Sequence, residues 1–396
     1  MSAQNDLQDE KFDLKVCVIP GVLPTRLADA DAIHITNLVK IIQSCVREVT
    51  VCGVNTSALI PKISGIQVTD IPDTASTSIF ARLFKFSLNQ IRISNYLINN
   101  RKGIDVVFLA IGSGCFLLPT IIAKVLRKKV LIIYSGRDSV KIYSKDSYRQ
   151  INAMLASYLL PVVAKYLEIL NCMLANVIIT NSKDIEPLLE TRCHNKIVYM
   201  SRFYVDNSVF VCEKNISKRP PVICYAGKFT QMKGLLNLID AIPIVLEKNN
   251  EVKFILIGDG PLKSETISKI KRNGIDEAVS IIGWIPQRKL NDYLNNSKIL
   301  IISSEAEVGP QILLEAISSG TIVLSTRVGI VPDIILDNVS GFILEKNSPD
   351  CIAESLLEIL SHEDLDIISK GALELIRKEY SFEAVVNRYM SVFNLI

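Results

Sequence analysis

The chain has 396 residues, 49% hydrophobic and 21% charged, which is enough apolar material for more than one buried core and excludes a disordered chain. Lys and Arg (44) nearly balance Asp and Glu (41), so the net charge of +3 gives no global electrostatic case for a nucleic-acid partner. Nine cysteines stand singly with no close pair, a pattern of reduced thiols rather than of a disulfide framework or a zinc site.

The chain opens on MSAQNDLQDEKFDLK, polar and acidic, without the basic and apolar regions of a signal peptide, so a cytoplasmic location is expected. Apolar, β-rich runs then recur with helical patterns between them: VCVIPG from 16, VTVCGV from 49, DVVFLAI from 105, VLIIYS from 130 and NVIITNS from 176. Asp31 is expected to cap the helix that holds His34. The one stretch near membrane length, Val106 to Ala123, contains Gly-Ser-Gly, Pro and Thr and reads as strand, turn and helix. After residue 220 the alternation resumes with VICYAG, KFILIG, VSIIGW, ILIISS, TIVLST and GFILEK. Runs that are apolar throughout need helices on both faces, so two doubly wound parallel sheets are expected. The boundaries expected are an N-terminal domain over 1–210, a linker over 211–221 that is charged and ends in two prolines, and a C-terminal domain over 222–380. The last stretch, 381–396, has apolar Phe382, Val385, Val386, Tyr389, Val392 and Phe393 at helical spacing and is expected to join the N-terminal domain.

Chemistry concentrates in SSEAEVGPQILLEAISSGTIVLSTRVGIVPDII, residues 303 to 335. The strand ILIISS opens into a loop carrying Glu305 and Glu307. Pro310 then takes the first helical position, where its missing N–H costs nothing. A helix start at the carboxyl end of a sheet offers free amides, around Gln311 and Ile312, to a diphosphate. Glu315 lies one turn into that helix, so two carboxylates approach one crevice from different depths, and carboxylates accept hydrogen bonds from sugar hydroxyls.

Glu307-x7-Glu315, followed by Ala316, Gly320 and VGIVP, resembles the retaining family 4 glycosyltransferases (group 1). The resemblance extends upstream to YAGKFTQMKG, where Gly227, Lys228, Lys233 and Gly234 match the family's Gly-Arg-x4-Lys-Gly with Lys in place of Arg. It continues through LIGDGP, with Gly258 and Gly260, and through GWIP, with Trp284, the only tryptophan. It implies a GT-B fold, two Rossmann-like doubly wound domains facing a cleft, with the nucleotide sugar on the C-terminal domain and the acceptor on the N-terminal one. Glu307, Lys228 and Lys233 are implied as catalytic. Glu315, Gly227, Gly309, Pro310, Gln311, Ile312, Gly258, Gly260 and Trp284 are implied as donor-binding. His34, Ser135 and Arg137 stand on the acceptor side; Ser135 occupies the place of a frequent family His, Arg327 that of a common Asp, and Ala30-Asp31 that of the usual Gly-Gly. The implied reaction moves a hexose-type sugar from a UDP- or GDP-linked donor to a glycan, lipid-linked or small-molecule acceptor, with no essential metal.

GSGCFL at 112 to 117 lacks the third glycine of a dinucleotide fingerprint, and no acid stands about twenty residues on, which disfavours a dehydrogenase. Asp29-Ala30-Asp31 and Asp364-Leu365-Asp366 have the form of a metal motif, yet two chance occurrences show how little it specifies. Residues 79 to 102 combine Ile79, Leu83, Phe86, Ile91 and Leu97 with Arg82, Lys85, Arg92, Arg101 and Lys102. They read either as a core-facing helix with snorkelling charges or as a helix on the cytoplasmic face of a membrane. Two other functional classes stay open beside the transferase: a catalytically silent nucleotide-sugar-binding protein, and an epimerase or phosphorylase of the same fold.

Overall fold

A computed structural model describes residues 11–21, 30–56, 63–71, 79–134, 153–180, 189, 191–307 and 309–396. The chain divides into two compact units, Met1–Arg202 with Val385–Ile396, and Phe203–Ala384.

In the first unit, β1 (Phe12–Ile19), α1 (Ala30–Cys45), β2 (Val46–Val54), β3 (Ile66–Ile71), α2 (Ile79–Asn99), β4 (Val106–Leu109), α3 (Leu117–Val125), β5 (Lys129–Ile133), α4 (Ala153–Leu174), β6 (Val177–Thr180) and β7 (Ile197–Tyr199) follow in chain order. The seven strands pair in parallel in the order β3-β2-β1-β4-β5-β6-β7. Strands β4 and β6 are buried at every residue, as a sheet covered on both faces requires. The apolar stretch from Val106 is a strand, a glycine turn and a helix, and no described helix is long and apolar enough to cross a membrane. Asp31 sits inside α1 rather than at its cap, because the helix already begins at Ala30, a strong helix former.

In the second unit, β8 (Val222–Ala226), α5 (Leu235–Lys248), β9 (Lys253–Ile257), α6 (Lys263–Arg272), β10 (Val279–Gly283), α7 (Gln287–Asn295), β11 (Ile299–Ile302), α8 (Gln311–Ser318), β12 (Ile322–Thr326), α9 (Val331–Ile334), β13 (Phe342–Leu344), α10 (Pro349–Ser361) and α11 (Leu365–Glu379) form a six-stranded parallel sheet ordered β10-β9-β8-β11-β12-β13. Helix α5 shows why these segments are helical: Leu235, Leu238, Ile239, Ile242 and Val245 recur at three- and four-residue spacing and all are buried. Two apolar clusters fill the two faces of this sheet, one around Phe254 and Ile301, the other around Leu300 and Leu314.

The segment from Phe203 to Pro221 packs within the second unit. The guanidinium of buried Arg219 donates to the carbonyl oxygens of Lys214 at 2.8 Å, Leu294 at 2.9 Å, Ser297 at 3.1 Å and Ser319 at 2.6 Å, and to Thr321 Oγ1 at 3.0 Å. One residue thereby pins 211–221 to α7, to the start of β11 and to the end of α8. The last helix, α12 (Phe382–Phe393), is amphipathic as its spacing predicts, with Val385, Val386, Tyr389, Val392 and Phe393 buried. From Val385 it belongs to the first unit, where Cys45 Sγ lies 3.7 Å from the Val386 carbonyl oxygen. All nine cysteines are free thiols, and burial pushes Cys17, Cys45, Cys115 and Cys224 up to about 12, which makes them inert.

Candidate functional site

The second unit lays β8, β9 and β10 outward in one direction, then returns to place β11 on the other side of β8. The loops after β8 and β11 therefore leave the sheet as neighbours, at the switch point where open α/β sheets bind ligands.

Backbone hydrogen bonds stitch the loops after β8, β9 and β10 together. Gly227 N donates to Ile257 O, Phe229 N to Asp259 O and Gly258 N to Gly283 O, each at 2.9 Å. A side chain on Gly258, whose φ is +141°, would overlap the Gly227 carbonyl oxygen, and a Cβ on Gly260 would sit 2.5 Å from Phe229 O. Both positions need glycine because two backbones touch there.

The loop after β11 is tied to the loop after β8 by Glu305 N to Met232 O at 2.8 Å and Ser303 Oγ to Lys233 O at 3.0 Å. This brings the side chains of Lys233 and Glu307 into an ion pair between Nζ and Oε1. The pair is partly shielded from water, with the lysine side chain 31% and the glutamate side chain 15% exposed. Ser304 Oγ donates to the same Glu307 oxygen at 3.1 Å, while Oε2 has no hydrogen-bond partner among the described residues. Lys228 is exposed and makes no ion pair among the described residues.

Helix α8 begins where this loop ends. Pro310 lies one residue outside the helix, at its cap, because its ψ of 107° is extended; Gln311 is the first helical residue. No side chain caps this end, so the amides of Gln311 and Ile312 point past it without an intrahelical acceptor. The Gln311 side chain fixes the helix start by donating to Tyr204 O at 2.8 Å, and Gly309 leaves the room that the Phe203 ring fills.

One turn on, Glu315 is only 5% exposed. Its Oε1 accepts a hydrogen bond from Gln287 Nε2 at 2.6 Å, and its other oxygen has no partner among the described residues. Burial raises its pKa to about 7, an effect that the Gln287 amide opposes. Gln287 opens α7, three residues after Trp284, whose indole is 65% exposed beyond the end of β10. Gln287 and Ser304 escape sequence reasoning because only convergence of three loop ends makes them neighbours of the two glutamates.

Of the remaining residues, Arg327 pairs with Glu345 at 3.6 Å, both exposed. His34, in α1 of the first unit, is held neutral: burial, then the nearby Arg202 charge, lowers its pKa to about 3. Ser135 and Arg137 lie outside the described residues. No cluster of three or more metal-ligating side chains occurs among the described residues.

The second unit thus gathers a cation, an anion with one open oxygen, a second buried carboxyl group and an uncapped helix start at one sheet edge. These are groups that hold a diphosphate and sugar hydroxyls. The family model of the group 1 glycosyl transferases matches residues 210–372. Among curated relatives, the N-acetyl-alpha-D-glucosaminyl L-malate synthase of Bacillus anthracis is 24% identical over 182 residues, 46% of this chain and 47% of that one. The poly(ribitol-phosphate) alpha-N-acetylglucosaminyltransferase of Staphylococcus aureus is 25% identical over 228 residues, 55% of this chain and 45% of that one. The chain thus spans about half the length of these curated relatives. Among solved structures, Anabaena HepE in complex with UDP superposes with a TM-score of 0.72 at 14% identity, covering 97% of this chain and all of that one. Residues 210–372 are thus similar to the group 1 glycosyl transferases, and the fold of the chain is GT-B.

Proposed function

We propose that the chain is a glycosyltransferase that moves a hexose-type sugar from a nucleoside-diphosphate sugar to a glycan, lipid-linked or small-molecule acceptor, with retention of configuration. The observation that carries this reading is the Lys233–Glu307 pair, held beside the uncapped start of α8 one turn before buried Glu315.

The donor diphosphate sits on the amides of Gln311 and Ile312, with Lys228 and Lys233 neutralising the charge that builds as the nucleoside diphosphate leaves. Glu315 accepts from a ribose hydroxyl through its free oxygen. Glu307 contacts hydroxyls of the transferred sugar, and Lys233 and Ser304 hold its carboxylate in place. Trp284 lies near the base, and Gly227, Gly258, Gly260, Gly309 and Pro310 set the backbone shape. Uridine is favoured as the base by the UDP in the similarly folded Anabaena protein, with guanosine the alternative. The similar Staphylococcus aureus and Bacillus anthracis proteins are a poly(ribitol-phosphate) transferase and an L-malate synthase, which supports a polymeric or a small-molecule acceptor. The acceptor falls to the first unit, where neutral His34 can accept as well as donate a hydrogen bond.

A panel of nucleotide sugars, read first by protection against melting and then by slow donor hydrolysis, tests this reading. The expected result is turnover of at least one donor, lowered about 100-fold by Lys233→Ala with little change in melting temperature. Binding without any turnover would instead support a silent binding protein.

A further inference from the structure

On one face of the first unit's sheet, helices α2, α3 and α4 lie side by side. Gln90 Oε1 accepts from Leu118 N at 3.1 Å, the Phe86 and Phe116 rings are 5.7 Å apart, and Cys115 Sγ meets the Ala164 carbonyl oxygen at 3.6 Å. The inward sides of this layer, including Ile93, Leu97, Ala123 and Cys172, fill the core. Beside exposed polar residues such as Arg92, Asn95 and Lys165, the outward sides carry large apolar ones. Phe84 is 68% exposed, Ile91 47%, Ile121 41%, Val125 71%, Tyr166 62% and Leu170 44%. Phe84 and Ile91 are seven residues apart, and Ile121–Val125 and Tyr166–Leu170 are each four apart, so each pair shares a helix face. Large exposed apolar residues on each of three neighbouring helices are uncommon on a protein that meets only water.

The charge around this face is mainly positive, with exposed Asp105 an exception beside Arg101 and Lys102. In parallel α/β units the helices end at a common edge, and here those ends carry Arg101 and Lys102 after α2 and Arg127, Lys128 and Lys129 after α3. The three helices contain a single acid, Glu168, and it is buried. A second copy of this face would set its basic rim against another basic rim. An anionic lipid surface answers both halves of the pattern.

We propose that this three-helix face rests on an anionic bilayer, with the apolar side chains at the boundary of headgroups and acyl chains and the basic edge on lipid phosphates. The contact lies in the membrane plane, since no described helix can span it. It is independent of the reaction assigned to the second unit. Within residues 79 to 102, Leu97 is buried while Leu83 and Ile91 are exposed, so one side of the helix serves the core and the other is open to this contact.

Flotation of the full chain with vesicles tests this. Binding is expected to phosphatidylcholine mixed with phosphatidylglycerol and not to phosphatidylcholine alone, and to weaken with added salt. Arg127→Gln, Lys128→Gln and Lys129→Gln combined should weaken it on the order of 100-fold, at about fivefold per charge. Ile121→Glu with Val125→Glu should abolish it and leave the melting temperature unchanged. Failure of the wild type to float with either vesicle, or equal binding to both, would overturn the proposal. So would concentration-dependent self-association that the Ile121 and Val125 substitutions remove.

Discussion

Burying a carboxyl group as Glu315 is buried moves its pKa from the ordinary 4.5 to about 7. Because the folded value is raised, the group's contribution to stability is fully present below about pH 4.5 and is lost as pH climbs through 7, about 3 kcal/mol in all. Glu315→Gln cannot ionise, so the variant should melt close to wild type near pH 5 and several degrees above it at pH 8. A gap that does not widen with pH contradicts this electrostatic account. The same substitution should weaken donor binding by about 1 to 3 kcal/mol, since a charge-assisted hydrogen bond becomes neutral or mispaired. Stability gained and affinity lost from one change is what a residue retained for a ligand shows. Gln287, which touches only Glu315 in this set, should likewise weaken donor binding, with smaller effect, when changed to Ala, raising donor KM more than it lowers kcat.

At the scale of elements, the apolar runs are legible in the sequence because buried parallel strands are apolar at every position. All six runs after residue 220 are strands of the second sheet, and five of the seven strands in the first are read the same way. The two that are not, β3 and β7, lie at the edges of that sheet; β3 is partly or fully exposed at every residue but Ile71, and β7 has three residues, none of them buried. These two edge strands carry no run of buried residues, unlike β13 at an edge of the second sheet, which is buried at all three positions. The two glutamates and two lysines of the candidate site are likewise legible as residue types at fixed offsets, but the Lys233–Glu307 and Gln287–Glu315 pairings depend on loops from distant strands and leave no local signal. Arg219 is the sharper case: in sequence it is one basic residue in a charged, proline-ended segment, and in the structure it is a buried clasp satisfied by carbonyl oxygens. Arg219→Leu should destabilise the protein by about 3 kcal/mol, because several buried acceptors lose their donor at once. A denaturant titration checks this, and a change under about 1 kcal/mol would show that water replaces the guanidinium at little cost.

At the scale of the whole molecule, the family match over 210–372 falls within the second unit, while the likeness of fold runs through 97% of the chain. Chemistry explains the contrast. A nucleoside diphosphate presents the same charges and hydroxyls whichever transferase holds it, so the groups that grip it recur, whereas acceptors differ and the residues that meet them diverge. Under the proposed function, the second unit is a donor site with its two carboxylates in different roles. Calorimetric titration of wild type, Glu307→Ala and Glu315→Ala with UDP, GDP and their sugar conjugates tests it most directly. Wild type is expected to bind one nucleoside diphosphate, Glu315→Ala to lose affinity for it and for the intact donor, and Glu307→Ala to keep nucleotide affinity while turnover falls about 10- to 1,000-fold. Absence of nucleotide binding in wild type, or equal loss of nucleotide affinity in both variants, would contradict it.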